Sequence, residues 1–219
     1  NILTELRSRI PFFMKEIDLM VLTHPHSDHL DGLIEVLKRY KVKNVLITGV
    51  EYNNSYYEEF LKNISASEKV AVYFAQADKD FVIGGLYFDT IYPISSLVGQ
   101  SLKNVNNSSI GFLVSFVGND GIERKILLNG DNEAEVEKEI LAEYGNKVES
   151  IDVFKASHHG SKTANNIDFL RKFRPVIVVI PCGEGNKFGH PHAESIYNFQ
   201  QIGSEVLRTD LAGTLEFSW

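Results

Sequence analysis

Cysteine is almost absent from this sequence: Cys182 is the only one, beside two methionines and one tryptophan. A single thiol excludes an intramolecular disulfide framework and leaves the redox compartment open. No apolar run approaches the roughly 20 residues a membrane-spanning helix needs. The longest such run, 176–182, has only the length of a strand. The first ten residues do not read as a secretory leader, because Glu5, Arg7 and Arg9 stand where an apolar stretch is required. Fixed-period repeats, low-complexity tracts and linkers are missing as well. So is any excess of positive charge: 29 acidic against 22 basic residues give a net charge of −7. That argues against a protein that coats duplex DNA by bulk attraction, and leaves room for a local basic groove. What is present, 219 residues of which 43% are hydrophobic and 23% charged, fits one globular domain over 1–219 and excludes a disordered tail or coiled coil. The chain opens at Asn1 with a helical pattern already under way. A soluble piece of a longer polypeptide is therefore expected, with any membrane segments outside it.

The pattern alternates strands and helices. Helical spacing covers 2–10, 30–40, 56–64, 133–144, 166–173 and 193–202, and apolar runs of strand length cover 17–22, 45–48, 70–75, 151–155 and 176–180. Hairpins are expected at Gly84-Gly85 within 81–92 and at Asn119-Asp120-Gly121 between 111–117 and 122–128. The Ser- and Asn-rich stretch 99–109 reads as a loop, and 206–209 and 214–217 read as short closing strands. Such alternation with inserted hairpins predicts a mixed α/β sandwich, sheets inside and helices outside.

All seven histidines fall in three tight groups, each just after an expected strand or before an expected helix. In α/β folds that is where chemistry is placed. His24 and His26, two apart in an extended turn, can face one point, while Asp28 and His29, at a helix start, can face a second point nearby. Neutral imidazole with carboxylate suits borderline or hard divalent metals and needs no thiolate. Asn129-Gly130-Asp131 ends an apolar strand, so Asp131 is placed to bridge two cations or to cap the acidic helix that follows. His158 and His159 are adjacent, and neighbouring side chains diverge. One is expected as a ligand, with His159 favoured, and the other as a neighbour for an anion; the residues alone leave the choice open. The segment 183–192 has glycines but not the G-x-G-x-x-G spacing, since Phe188 stands at the third glycine position. It reads as a mobile loop that brings His190 to the site edge, with His192 at the rim or capping the next helix.

These residues together carry a resemblance. His24-x-His26-x-Asp28-His29, then Asn129-Gly130-Asp131, then His158-His159-Gly160-Ser161, resemble the metallo-β-lactamase superfamily, and within it the hydrolase domains of ComEC-type competence DNA-uptake proteins. The likeness runs from about residue 2 to 217 and extends to Asn106-Asn107-Ser108, Gly189-His190-Pro191-His192 and Arg208-Thr209-Asp210. The histidine pair and the Gly-His-Pro-His loop are narrower signals, shared with choline-phosphate esterase-like members. The resemblance implies an αββα four-layer sandwich and two divalent ions, Zn or Mn. His24 and His26 would hold one ion; Asp28, His29 and His159 would hold the other, with Asp131 bridging. Two departures stand out. The usual third histidine of the first ion has no counterpart, and Asn107 and Ser108 stand about where it would be. The opening strands that usually precede the metal motif are also lacking, which predicts an incomplete first sheet.

Two divalent ions against Asp28 and Asp131 leave a net positive site, which favours an anionic ester such as a phosphodiester. The function expected is metal-dependent phosphodiester hydrolysis by a metal-bridging hydroxide, most specifically a nuclease on single-stranded DNA in competence and DNA uptake. Asp28, His158 and His190 are the candidate catalytic groups, and Asn107, Ser108, Ser161, Lys162 and His192 the candidate substrate contacts. Residues 155–187 hold six basic and two acidic residues, a modest basic rim that suits a single strand better than a duplex coat. Residues 131–152 hold eight acidic and two basic ones, read as a solvated helix face. The competing readings are hydrolysis of another ester (choline-phosphate, carboxylic ester or lactone) and a non-catalytic metal-binding domain.

Overall fold

The computed structural model describes residues 2–67, 70–148 and 150–219. Helix α1 (Ile2–Arg9) leads into β1 (Glu16–Val21), α2 (Ser27–Leu37), β2 (Lys41–Ile47), α3 (Ser55–Ser65) and β3 (Ala71–Phe74). There follow β4 (Phe81–Ile83), β5 (Leu86–Tyr92), β6 (Gly111–Val117), β7 (Glu123–Leu128), α4 (Ala134–Tyr144) and β8 (Ile151–Lys155). The last elements are α5 (Ile167–Phe173), β9 (Pro175–Ile180), α6 (Ala193–Gln201), β10 (Glu205–Arg208) and the short α7 (Thr209–Ala212).

The strands form two sheets, β1-β2-β3 and β10-β9-β8-β7-β6-β5-β4. The smaller sheet is wholly parallel. The larger is antiparallel from β4 to β7 and parallel from β7 to β10. Alternation along the strands sorts three apolar layers. Val45 and Ile47 of β2 pack outward on Leu30 and Ile34 of α2 and Tyr57, Phe60 and Ile64 of α3. Leu46 points the other way and meets Phe112 and Val114 of β6 between the sheets. On the far side Leu127, Phe154, Val178 and Ile180 pack under Val136 and Ile140 of α4, Phe169 and Phe173 of α5 and Phe199 of α6. Each fully buried Leu, Ile or Phe contributes about 1.5–3 kcal/mol over its exposed state, and Phe60, Phe154, Phe169, Phe173 and Phe199 have 1% exposure or less. The layers are helix, sheet, sheet, helix. As expected, the first sheet is small, and an apolar cleft of about 630 Å³ opens between the sheets along β3 and β4, lined by Leu19, Leu46, Phe74 and Phe81.

One expected element is absent. Residues 214–217 form no strand; the chain turns through α7 and runs on without a ladder partner. Its apolar alternation is used by side chains instead: Phe217 stacks on Trp219 at 5.6 Å and Trp219 meets Phe116 of β6. No described helix is long and apolar enough to cross a membrane.

Candidate metal centre

The histidine groups meet at one edge of the sandwich, beyond the carboxyl ends of the parallel strands β1, β7, β8 and β9. The chain leaves β1 through Thr23 and His24, and α2 begins at Ser27, which places Asp28 and His29 in its first turn. The turn after β7 needs Gly130, with φ of +52°, because a Cβ there would lie 2.5 Å from Cβ of Ser109. After β8 the chain makes a tight turn in which His158 and His159 both have positive φ, 46° and 54°. Left-handed backbone costs a non-glycine residue about 1–2 kcal/mol, so something must hold it. Asn165 does: its amide donates to the carbonyls of Ser157 and Ser161 and accepts from the Ser157 N–H. Buried Glu137 of α4 in turn accepts the N–H groups of Asn165 (2.7 Å) and Asn166 (2.8 Å).

Four ligand atoms come together there: those of Asp28, His29, Asp131 and His159, all within 4.8 Å of one another. Nε2 of His29 lies 3.3 Å from Asp131 Oδ2 and 3.6 Å from Asp28 Oδ2. Nε2 of His159 lies 3.2 Å from Asp131 Oδ2, 3.3 Å from Asp28 Oδ2 and 3.4 Å from His29 Nε2. Ligand bonds of about 2.1 Å put the corners of a regular tetrahedron about 3.4 Å apart. The donor set and its spacing therefore fit one divalent cation. Nδ1 of His159 is 2.7 Å from the Pro181 carbonyl, which can only accept, so this ring presents Nε2 to the quartet.

The charges of this cluster are strongly perturbed. Burial works against the Asp131 carboxylate, yet Lys155 and the hydrogen bonds from His159 and His29 hold it well below the usual carboxylate range. The hydrogen bond from His159 does the same for Asp28. Burial also works against a charged His159, but its bonds to Asp131 and Asp28 outweigh that and hold it at about 9. His24 goes the other way: burial, with His29 nearby, pushes it down to about 2, so its ring is neutral. Its Nε2 is 3.2 Å from Nδ1 of His26, and its Nδ1 sits between the hydroxyls of Ser109 and Thr23.

A pit of about 300 Å³ opens over the quartet, lined by His26, Asp28, Tyr52, Asn54, Asp131, His158, His159, Phe188 and His190. His190 stacks on His159 and carries Phe188 on its outer side. Burial, then the neighbouring His158 and His192, lowers His190 to about 4. Burial lowers His158 too, and its Nδ1 is a buried atom that makes no hydrogen bond although Glu133 Oε1 is 3.2 Å away. The remaining expected contacts are placed differently. Ser108 is fully buried with its hydroxyl on the Val105 carbonyl. Asn107 is tied to the Glu133 N–H and the Glu135 carboxylate. Neither lines the pit. Ser161 is buried against Thr163, while Lys162 is exposed and its N–H meets Nδ1 of His192. Lys155, counted above with the rim, turns inward instead: its ammonium is 3.0 Å from Asp131 Oδ1. Ser109, Glu133 and Lys155 were not among the expected site residues.

The described layers, strand order and edge-bound histidine site can be set against known proteins. Among solved structures, the metallo-β-lactamase fold protein YhfI of Bacillus subtilis superposes with a TM-score of 0.55 over 94% of this chain and 79% of its own, at 12% identity. The present chain has the metallo-β-lactamase fold. CmlA of Streptomyces venezuelae, a diiron β-hydroxylase, also matches this fold, with a TM-score of 0.56 over 92% of this chain and 45% of its own, at 14% identity. In sequence the chain is similar to ComE operon protein 3 of Bacillus subtilis, 30% identical over 214 residues, 96% of this chain and 26% of that protein. It is 25% identical to competence protein ComA of Neisseria gonorrhoeae over 205 residues, 93% of this chain and again 26% of the relative. This metallo-β-lactamase-fold chain thus spans about a quarter of the length of the curated relatives it matches. No protein-family model matches it.

Proposed function

We propose that this protein is a metal-dependent phosphodiester hydrolase, a nuclease that acts on single-stranded DNA during uptake. The observation that carries the reading is the quartet of Asp28, His29, Asp131 and His159, whose ligand atoms have the spacing of one divalent coordination shell. Likeness to competence proteins supports DNA as the substrate class. Zn or Mn suits these nitrogen and oxygen donors. A divalent cation held there supplies Lewis acidity toward a phosphoryl oxygen and a water acidified to a pKa of about 7.

The chain's own groups then have distinct tasks. Asp131 and Asp28 stay ionised and hold the cation, and His24 and His26 mark a second cation position beside it. His158 and His190, kept uncharged near neutral pH by burial, donate N–H bonds to the phosphate. His158 lines the pit, and because its Nδ1 is buried 3.2 Å from Glu133 Oε1, the contact falls to its Nε2. Exposed Lys162 and Lys187 and the ring of Phe188 flank the path by which a strand would leave.

The test is a labelled single-stranded oligonucleotide with Mn²⁺ or Zn²⁺, beside the Asp131→Asn and His26→Ala variants and a panel of chromogenic phosphodiesters and carboxylic esters. Cleavage that needs the ion and Asp131, with phosphodiesters preferred, is the expected result. Equal cleavage by Asp131→Asn, or hydrolysis confined to carboxylic esters, would sink it.

A further inference from the structure

His24 and His26 are only half of a cation site. Their facing nitrogens are 3.2 Å apart, and Nδ1 of His24 is already engaged by hydroxyls on its other side. A cation between them needs a further protein ligand. Among the described residues, the single group of three or more clustered ligands takes Asp28, His29, Asp131 and His159 and leaves both of these histidines outside. Asp131 is the carboxylate beside both positions: its N–H shares the Ser109 hydroxyl with Nδ1 of His24, and it lines one pit with His26. Its two oxygens are already assigned. Oδ2 belongs to the quartet, at 3.3 and 3.2 Å from the two imidazoles. Oδ1 belongs to Lys155, whose ammonium is 3.0 Å away and also donates to the Gly130 carbonyl at 2.5 Å. That clamp is built in: Asp131 is 2% exposed and the Lys155 side chain 20%.

The structure assigns Lys155 the place of a fixed cation. One divalent ion binds tightly at Asp28, His29, Asp131 and His159, and the position at His24 and His26 fills only weakly. A metal on either oxygen of Asp131 lies within about 7 Å of the ammonium, so a second one meets a carboxylate whose charge is already compensated, and like charges on two sides. Site geometry and charge on the phosphate's side are then kept by a side chain that cannot dissociate. Lys155 acts on Asp131, not on substrate, and is a positioning residue.

This inference rests on the metal-dependent reading of the site, but its readout is binding, not turnover. Mn²⁺ alone is titrated calorimetrically into the whole, chelator-treated protein, with elemental analysis after desalting. Wild type is expected to retain one ion per chain and to show a second, much weaker event. Lys155→Met and Lys155→Gln, the latter keeping donors for Gly130 and Asp131 if the former unfolds, strengthen the second event about tenfold or more, the factor that about 1.4 kcal/mol of removed repulsion gives. Lys155→Arg keeps it weak, and His24→Ala abolishes it while the first ion stays. Two ions of equal affinity in wild type, or a second event indifferent to Lys155→Gln, overturn the assignment. Unequal loading without oligonucleotide cleavage leaves the assignment standing and removes the nuclease reading.

Discussion

Glu137 offers a measurement that separates the support of the site from its chemistry. This carboxylate is fully buried on α4, where burial raises its pKa to about 7 against the opposing pull of the Asn166 and Asn165 N–H groups. A folded pKa above the unfolded 4.5 means that the native state binds the proton more readily. The stability this group provides is therefore complete below about pH 4.5 and is lost as pH rises through about 7. At 1.36 kcal/mol per unit, the stability lost relative to low pH is under about 1 kcal/mol at pH 5, where the folded carboxyl is still protonated, and about 3 kcal/mol at pH 8. Glu137→Gln has the same shape and does not titrate. Its carbonyl can serve one of the two backbone N–H groups, and the other loses its acceptor at about 1–3 kcal/mol. The variant is thus the less stable protein at pH 5, and the gap closes or reverses by pH 8. Parallel urea unfolding of both proteins in chelator, at pH 5, 6, 7 and 8, isolates the group because all other titrations cancel in the difference. A shift of about 2–3 kcal/mol in favour of the variant across that range is expected. A difference that stays flat, or that moves toward wild type, would refute the burial argument and with it the role of Glu137 in holding the His158–His159 turn.

Other outcomes follow from the same coordinates. Gly160→Ala forces an alanine to φ +78° with its Cβ 2.7 Å from Cβ of Pro191; thermal unfolding should register about 2–4 kcal/mol of lost stability. Mn²⁺ or Zn²⁺ at a hundred times its dissociation constant should raise the melting temperature by about 5–10 °C, through about 2.7 kcal/mol of binding linkage, and a chelator should erase the gain. His159 holds a proton up to about pH 9 without metal, and the ion must displace it, so calorimetric Mn²⁺ affinity should climb about tenfold per unit between pH 6 and 8. Phe188, 64% exposed at the lip of the pit, should stack a nucleobase: Phe188→Ala is expected to weaken oligonucleotide binding about 5- to 150-fold and leave an alkyl phosphodiester substrate unaffected.

The pattern of apolar residues was enough to read nearly every element, because both sheets and their helices are sorted by the same two periodicities. Segment 45–48 shows Val45, Leu46 and Ile47 alternating between two different cores. Segment 214–217 shows the limit: alternation says which faces are apolar but not whether a neighbouring strand is there to pair with. The quartet was legible because its donors sit at chain positions where a strand ends, which is a local property. Lys155 was not, because a lysine in a basic stretch reads as solvated until the register of β8 against β7, Lys155 opposite Leu128, carries it to the turn that holds Asp131. Glu137 was hidden in the same way within an acidic run, where helix α4 turns this one carboxylate inward onto the Asn165 and Asn166 N–H groups. Asn107 and Ser108 were expected at the site because the family pattern has its third histidine about there; the 3₁₀ turn over Val105–Ser108 instead ties the Ser108 hydroxyl to the Val105 carbonyl and Asn107 to the Glu133 N–H.

The pit's charge balance explains why these separate features belong together. Asp28, Asp131 and Glu133 bring three negative charges to a region served by one ammonium, that of Lys155. Asp131, 2% exposed, cannot remain ionised at that depth without a compensating charge. Without metal the compensation comes from a proton, which is why His159 holds one far above the ordinary histidine range while His24, facing no carboxylate directly, holds none. A divalent ion can take over from that proton at the same four atoms, since Nε2 of His159 faces both carboxylates. The strained turn that aims this nitrogen, the Asn165 and Glu137 bonds that hold the turn, and the Pro181 carbonyl that fixes the tautomer thus serve one electrostatic requirement, a cation at a point where the fold has already placed its ligands.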